Sequence, residues 1–158
     1  MNILTEDQAA SRGLSLPAGG MLSDVPPEIV AELQVNGTFV EYNQQVIAAA
    51  GEPVDYILCV VAGQAHLSRR DDNYSRARVG SIGVGQWFGE ANLFVHGPSR
   101  EELFADGEVI VWTIAPDTLR DLFFRTPASV QLLYNIATVL AQKLSLKSDG
   151  SVAVSTAR

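Results

Sequence analysis

Glu90 and Arg100 are the side chains of this chain best suited to hold a ligand together. They lie within Gly83-Val84-Gly85-Gln86-Trp87-Phe88-Gly89-Glu90-Ala91-Asn92-Leu93-Phe94 and, after a short gap, Pro98-Ser99-Arg100. Glycines let backbone amides approach a ligand closely. A carboxylate accepts hydrogen bonds, and a guanidinium presents a fork of donors matched to an oxyanion. The chemistry this set predicts is binding of an anion that also carries hydroxyls. The same residues have structural roles open to them: Gly83, Gly85 and Gly89 as turns, and Glu90 with Arg100 as an internal ion pair.

The elements that position this segment read as strands flanked by helices. From Thr38 to about Thr113, runs rich in valine and isoleucine (46–49, 56–61, 65–68, 77–82 and 109–114) alternate with turn signals. These fall at Tyr42-Asn43, Gly51, Gly63, Asp72-Asn73, Gly83 to Gly85 and Asp106-Gly107. Strands at this spacing predict a sandwich or barrel-like roll. Upstream, Thr5-Glu6-Asp7-Gln8 predicts a capping box on a short helix ended by Gly13. Pro26 and Pro27 then open a helix presenting Ile29, Val30 and Leu33 to a core.

Downstream, Pro116 suits a first helical turn, followed by Leu119, Leu122 and Phe123 at helical spacing. Thr126 predicts an N-cap with Pro127 at the first helical position of a helix reaching about Lys147. Its apolar positions (Val130, Leu132, Leu133, Ile136, Ala137, Val139, Leu140 and Leu144) form a stripe too broad for one contact. One side is expected to pack on the roll and the other to stay free for a partner helix. The domain reading is therefore a short helix and linker over 1–21, the roll over 22–125, a C-terminal helix over 126–147 and a flexible tail over 148–158.

Composition narrows the function classes. The 158 residues suffice for one domain with a substantial core, and the 47% hydrophobic and 18% charged shares are those of a globular protein. The net charge of −7 argues against a general attraction to nucleic-acid phosphates. The best basic cluster, Arg69, Arg70, Arg76 and Arg78, is interleaved with Asp71 and Asp72 and reads as a hairpin carrying cross-strand charge pairs. Cys59 is the single cysteine, which excludes an intramolecular disulfide, and its run of apolar neighbours predicts a buried strand position. No apolar stretch approaches a membrane span and no secretory leader pattern opens the chain, so a cytoplasmic protein is expected.

The residues above resemble the phosphate-binding cassette of the cyclic-nucleotide-binding domain, as found in catabolite-activator-type regulators and the protein kinase A regulatory subunit. Leu22 to Glu28 is similar to the family's entry helix, Gly51 to Gly63 to its central strand pair, and Ile114 to Leu119 and the helix from Thr126 to its C-terminal part. The resemblance, over roughly residues 22–147, implies a mainly β fold: an eight-stranded β-roll, a double-stranded β-helix of jelly-roll kind, with flanking helices. It implies a binding set of Phe88, Gly89, Glu90, Ala91, Asn92, Ser99 and Arg100. In it Glu90 accepts from a ribose 2′-hydroxyl, the Ala91 and Asn92 amides face a cyclic phosphate, and Arg100 neutralises that phosphate. The implied ligand is cAMP or cGMP, with no cofactor or metal required. The base would meet the C-terminal helix, where Asn135, Thr138, Gln142 and Ser145 are the polar candidates. The resemblance also implies a homodimer through that helix and signalling to an effector protein. The chain does not continue into a helix-turn-helix module, so direct DNA binding is not expected.

Two departures stand out. Arg100 is followed by Glu101 and Glu102, and alternation along a strand puts Glu102 on the same side as Arg100, where it is expected to pair with the arginine and fill the phosphate's place. Asn92 stands where the family has a small apolar residue. The competing reading is thus a degenerate member of the fold serving as a protein-interaction or assembly module. A third reading, a metal-dependent enzyme on a cupin-like roll, needs several converging histidines, yet only His66 and His96 occur and no Gly-x-Ser-x-Gly is present. A non-enzyme is expected.

Overall fold

The computed structural model describes residues 1–70, 73 and 75–156, with backbone alone at 70 and 147–156. Asp71 and Asp72, read from sequence as part of the basic hairpin, lie outside the described residues, as do 157–158 of the tail. Seven strands form one antiparallel sheet: β1 (Asn2–Ile3), β2 (Thr38–Ala48), β3 (Ile57–Ala62), β4 (Ala65–Arg70), β5 (Arg76–Ile82), β6 (Trp87–Phe88) and β7 (Glu101–Ile114). The order is β1-β2-β7-β3-β6, and β4 pairs with both β5 and β7. Four helices flank it: α1 (Glu6–Ser11), α2 (Pro27–Asn36), α3 (Pro116–Arg125) and α4 (Val130–Thr156).

β7 organises the roll. One edge pairs with β2 from Thr38↔Thr113 to Ala48↔Leu103, while the other pairs with β3 at its C-terminal half and with β4 at its N-terminal half. Two sequence signals for turns are bends inside these long strands. Asp106-Gly107 lies where β7 passes from β4 to β3, with Gly107 at φ 96°, and Tyr42-Asn43 precedes the β2 bulge at Gln44, φ 48°. A bulge bends and twists a strand without ending it. Among the described residues the sheet has seven strands where eight were expected, and one of them is the short β1, which the sequence pattern did not predict.

Alternation along the central strands divides the core in two. Ile57 and Cys59 of β3, with Ile110, Trp112 and Ile114 of β7, face the helices, where they meet Ile29, Leu33, Leu119, Leu122, Leu132 and Ile136. Leu58, Val60, Val109 and Val111 point the opposite way, into the roll, against Val40, Ile47, Val54, Leu103 and Ala105. Both faces of these strands are buried, so they read as continuous apolar runs. Trp112 packs against Trp87 with ring centroids 5.8 Å apart. Cys59 is buried as expected, and desolvation pushes its thiol up to about 12.

The helix starts follow local chemistry with one exception. The Thr5 hydroxyl accepts from the Gln8 amide at 3.2 Å while Gln8 accepts from the Thr5 amide at 2.8 Å. Thr126 makes no side-chain cap; Pro127–Ser129 form a 3-10 turn and α4 begins at Val130. Buried Ser129 draws the chain inward instead, its hydroxyl donating to the Thr126 carbonyl at 2.5 Å. The α4 backbone stays helical past residue 147, where Ser148-Asp149-Gly150 reads as a stop. One glycine costs a helix only about 1 kcal/mol.

Candidate functional site

β6 ends at Phe88, Gly89 turns into the left-handed region at φ 84°, and Glu90–Leu93 form a single 3-10 turn. Gly89 is needed there: a Cβ would meet the Tyr56 carbonyl oxygen at 2.8 Å. The turn leaves its first amides, Glu90 and Ala91, at an open N-terminus. The Asn92 amide is not available, since it donates to the Gly89 carbonyl at 3.0 Å, and its side chain reaches the Tyr56 carbonyl at 3.4 Å. Asn92 therefore braces the cassette from within, which corrects the expectation that its amide faces a ligand. The Leu93 carbonyl at the end of the turn accepts from Arg120 of α3 at 2.6 Å.

The second strip of the site is held by the loop before β3. Gly51 donates to the Ser99 carbonyl at 2.7 Å and Ser99 donates to the Glu52 carbonyl at 3.0 Å. The Ser99 hydroxyl is engaged by the Glu101 backbone, at 2.6 and 3.2 Å. Arg100 is exposed and makes no hydrogen bond or ion pair among the described residues.

The expected pairing of Arg100 with Glu102 does not occur. Glu102 is buried and pairs with Arg76 of β5 at 3.1 Å, and Glu101 pairs with Arg69 of β4 at 2.5 Å. The start of β7 runs beside β4, with Ser68↔Glu102 and Arg69↔Glu101 in register, so the hairpin arginines reach both carboxylates. Arg69 and Arg76 of the basic cluster thus neutralise Glu101 and Glu102. Arg78 donates to His66 Nδ1 at 2.5 Å, and His66 Nε2 lies 3.2 Å from Asp106. Hydrogen bonds from Gln44 and His66 hold the Asp106 carboxyl below its ordinary range. Among the described residues no group of three or more His, Cys, Asp or Glu could hold a metal ion, and no helix is long and apolar enough to cross a membrane.

All seven residues named from sequence (Phe88, Gly89, Glu90, Ala91, Asn92, Ser99 and Arg100) line one cleft of about 480 Å³. α4 covers it with Leu140 and Leu144 of its apolar stripe and with Lys143, which sequence reasoning did not single out. Lys143 donates to Glu90 Oε1, closing an ion pair between cassette and helix; the Glu90 side chain is 3% exposed and that of Lys143 55%. The available signal was a lysine at helical spacing from Val139 and Leu140, on the packed side of the helix.

A neighbouring, mostly apolar cleft of about 710 Å³ lies between α4, β4, β5 and the loop at Met21, and shares Phe88, Glu101 and Lys143 with the first. The polar α4 candidates for a base line neither cleft. Asn135 donates to the Met21 and Ser23 carbonyls, both at 2.9 Å, Thr138 donates to the Tyr134 carbonyl at 2.8 Å, and Gln142 and Ser145 are exposed. With Glu90 balanced by Lys143 and Glu101 by Arg69, Arg100 is the uncompensated charge on the cleft wall among the described residues. At an effective dielectric near 20, such a cation attracts an anion ~4 Å away by about 4 kcal/mol before desolvation is counted.

Comparison with known proteins agrees with this geometry. The family model described as "Cyclic nucleotide-binding domain" matches residues 42–126, more than half of the chain. No curated protein matches the chain by sequence. Among solved structures, the Thermus thermophilus catabolite activator protein is similar with a TM-score of 0.79 at 20% identity, over 87% of this chain and 63% of that one. The chain thus spans less than two thirds of that protein. A cyclic nucleotide-binding domain from Methylobacillus flagellatus gives 0.72 at 18% identity, over 83% of this chain and 75% of that one. The regulatory subunit of a cAMP-independent protein kinase A from Trypanosoma brucei, a mutant bound to cAMP in its A site, gives 0.64 at 17%, over 78% and 42%.

Proposed function

This chain belongs to the cyclic nucleotide-binding domain family, and on that premise we propose that it is a regulatory module that senses cAMP, cGMP or a similar anion and signals through α4. The observation that carries this is Arg100, free of any partner among the described residues and set on the wall of the same cleft as Glu90 and the open turn at Ala91. An anion there meets a cation and unpaired amides together, and α4 forms the lid over it. A ligand that favours one seating of α4 over another shifts the helix population by its difference in affinity.

The same proposal includes a homodimer through α4, an effector protein as the recipient of the signal, no direct contact with DNA, and action in the cytoplasm without catalysis. Val130, Tyr134, Ala137, Ala141 and Leu144 recur at alternating steps of four and three and are all exposed, which supports a second helix packing along them.

The test is calorimetric titration with cAMP and cGMP, with Arg100→Ala as control. Micromolar or tighter binding that is lost in the variant is the expected result; no binding of either to the folded protein overturns it. The second reading, an interaction module without nucleotide, is favoured by one observation: Lys143 already occupies Glu90.

A further inference from the structure

Beyond residue 140 the described part of α4 is held to the roll chiefly by one polar contact. The proximal half is anchored by Leu132 and Ile136, both fully buried, and by Asn135 on the Met21 and Ser23 carbonyls. Distally, Leu144 and Leu146 are largely exposed, and residues 141–146 are all on the exposed side of the burial range. Among residues 141–146 Lys143 makes the inward polar contact, to a carboxylate that is itself almost wholly buried and 53 residues away in the chain. A buried carboxylate stripped of its cation is strongly disfavoured, so this contact draws the helix toward the cassette.

We propose that Lys143 is a tethered cation standing in the ligand's place: its pair with Glu90 seats the distal half of α4 on the cassette when the cleft is empty. The pair also sets what the site answers to. A ligand with both an anionic group and a hydroxyl can exchange both partners at once, the hydroxyl donating to Glu90 while the ammonium moves to the anion. An anion without that hydroxyl binds at Arg100 and leaves the pair closed. Lys143 is thus a specificity-determining residue and Glu90 a switch contact. The proposal rests on the reading above only for the identity of the ligand; the latch itself is a property of the empty protein.

The experiment is hydrogen–deuterium exchange of the full chain without ligand, comparing wild type, Lys143→Met, Glu90→Gln and the swapped pair Glu90→Lys with Lys143→Glu. The expected result is exchange of the 139–146 amides roughly tenfold faster in both single variants, recovery in the swap, and no change at Val109 to Val111 of β7. Unchanged exchange over 139–146, or a rise that includes β7, overturns the latch. In the ligand arm, cAMP is expected to alter protection of 139–146 and 2′-deoxy-cAMP to bind without altering it; equal effects overturn the specificity role. Absence of binding by cAMP overturns the ligand reading, and the latch is then judged by the exchange of the empty protein.

Discussion

Replacing Gly89 by alanine tests whether the cassette has the shape described. Two costs add. The residue sits at φ 84°, and its Cβ would lie 2.8 Å from the Tyr56 carbonyl oxygen and 3.2 Å from Asn92 Nδ2. The left-handed conformation costs a non-glycine residue about 1–2 kcal/mol and forced overpacking about 1–3 kcal/mol, so the sum is about 2–5 kcal/mol. Gly107→Ala separates the terms, because Gly107 has φ 96° and nothing within 4 Å of the Cβ position. It should lose only the backbone part. Thermal denaturation followed by tryptophan fluorescence reports both variants, since Trp87 and Trp112 sit in the core. At about 2–4 °C per kcal/mol for a domain of this size, Gly89→Ala should melt roughly 4–20 °C below wild type and Gly107→Ala about 2–8 °C below. Anion affinity should fall in the first variant and not in the second. Equal destabilisation of the two would refute the close approach of the Tyr56 backbone, just before β3, to the cassette.

Three further outcomes are expected. Glu102→Gln should leave anion titration within about twofold of wild type, because Glu102 is tied to Arg76 rather than to Arg100, while urea stability falls by ~1 kcal/mol from the weakened pair; a large gain in anion affinity would show that the glutamate acts on the site after all. Tyr134→Glu, at an exposed position of the α4 seam, should convert a dimer into a monomer in sedimentation velocity with no loss of secondary structure; a wild-type sedimentation profile would place the dimer contact elsewhere or nowhere. Burial raises the Tyr56 hydroxyl to about 12. Its ionisation is thus withheld in the folded chain while the unfolded chain ionises near pH 10, so the stability it contributes is intact below pH 10 and lost progressively up to about pH 12. The urea midpoint should fall over that window less in Tyr56→Phe than in wild type, and equal slopes would exclude Tyr56 as the cause.

The fold was legible wherever the signal was local and periodic. The Thr5–Gln8 box, the proline-led starts of α2 and α3 and the apolar runs of β3 and β7 each depend on neighbours in sequence, and each stands where the pattern put it. β1 and β6, two residues each, are too short to show a period. Asp106-Gly107 and Tyr42-Asn43 carry turn chemistry, yet long-range pairing carried the strands through them as bends. The site divides in the same way. Its seven candidates cluster in one cleft because they occupy two short stretches of chain.

What sequence alone determined about this protein is the fold family, through resemblance at several separated motifs, and the breadth of the apolar stripe on α4, which follows from residue types at helical spacing. Which charge meets which was decided by the tertiary structure. Alternation along one strand predicts an Arg100–Glu102 pairing, but β4 and β5 bring Arg69 and Arg76 to Glu101 and Glu102, and α4 brings Lys143 to Glu90. Ion pairs are made at a few ångströms between groups tens of residues apart, and only the register of β4 on β7 and the seating of α4 fix those distances.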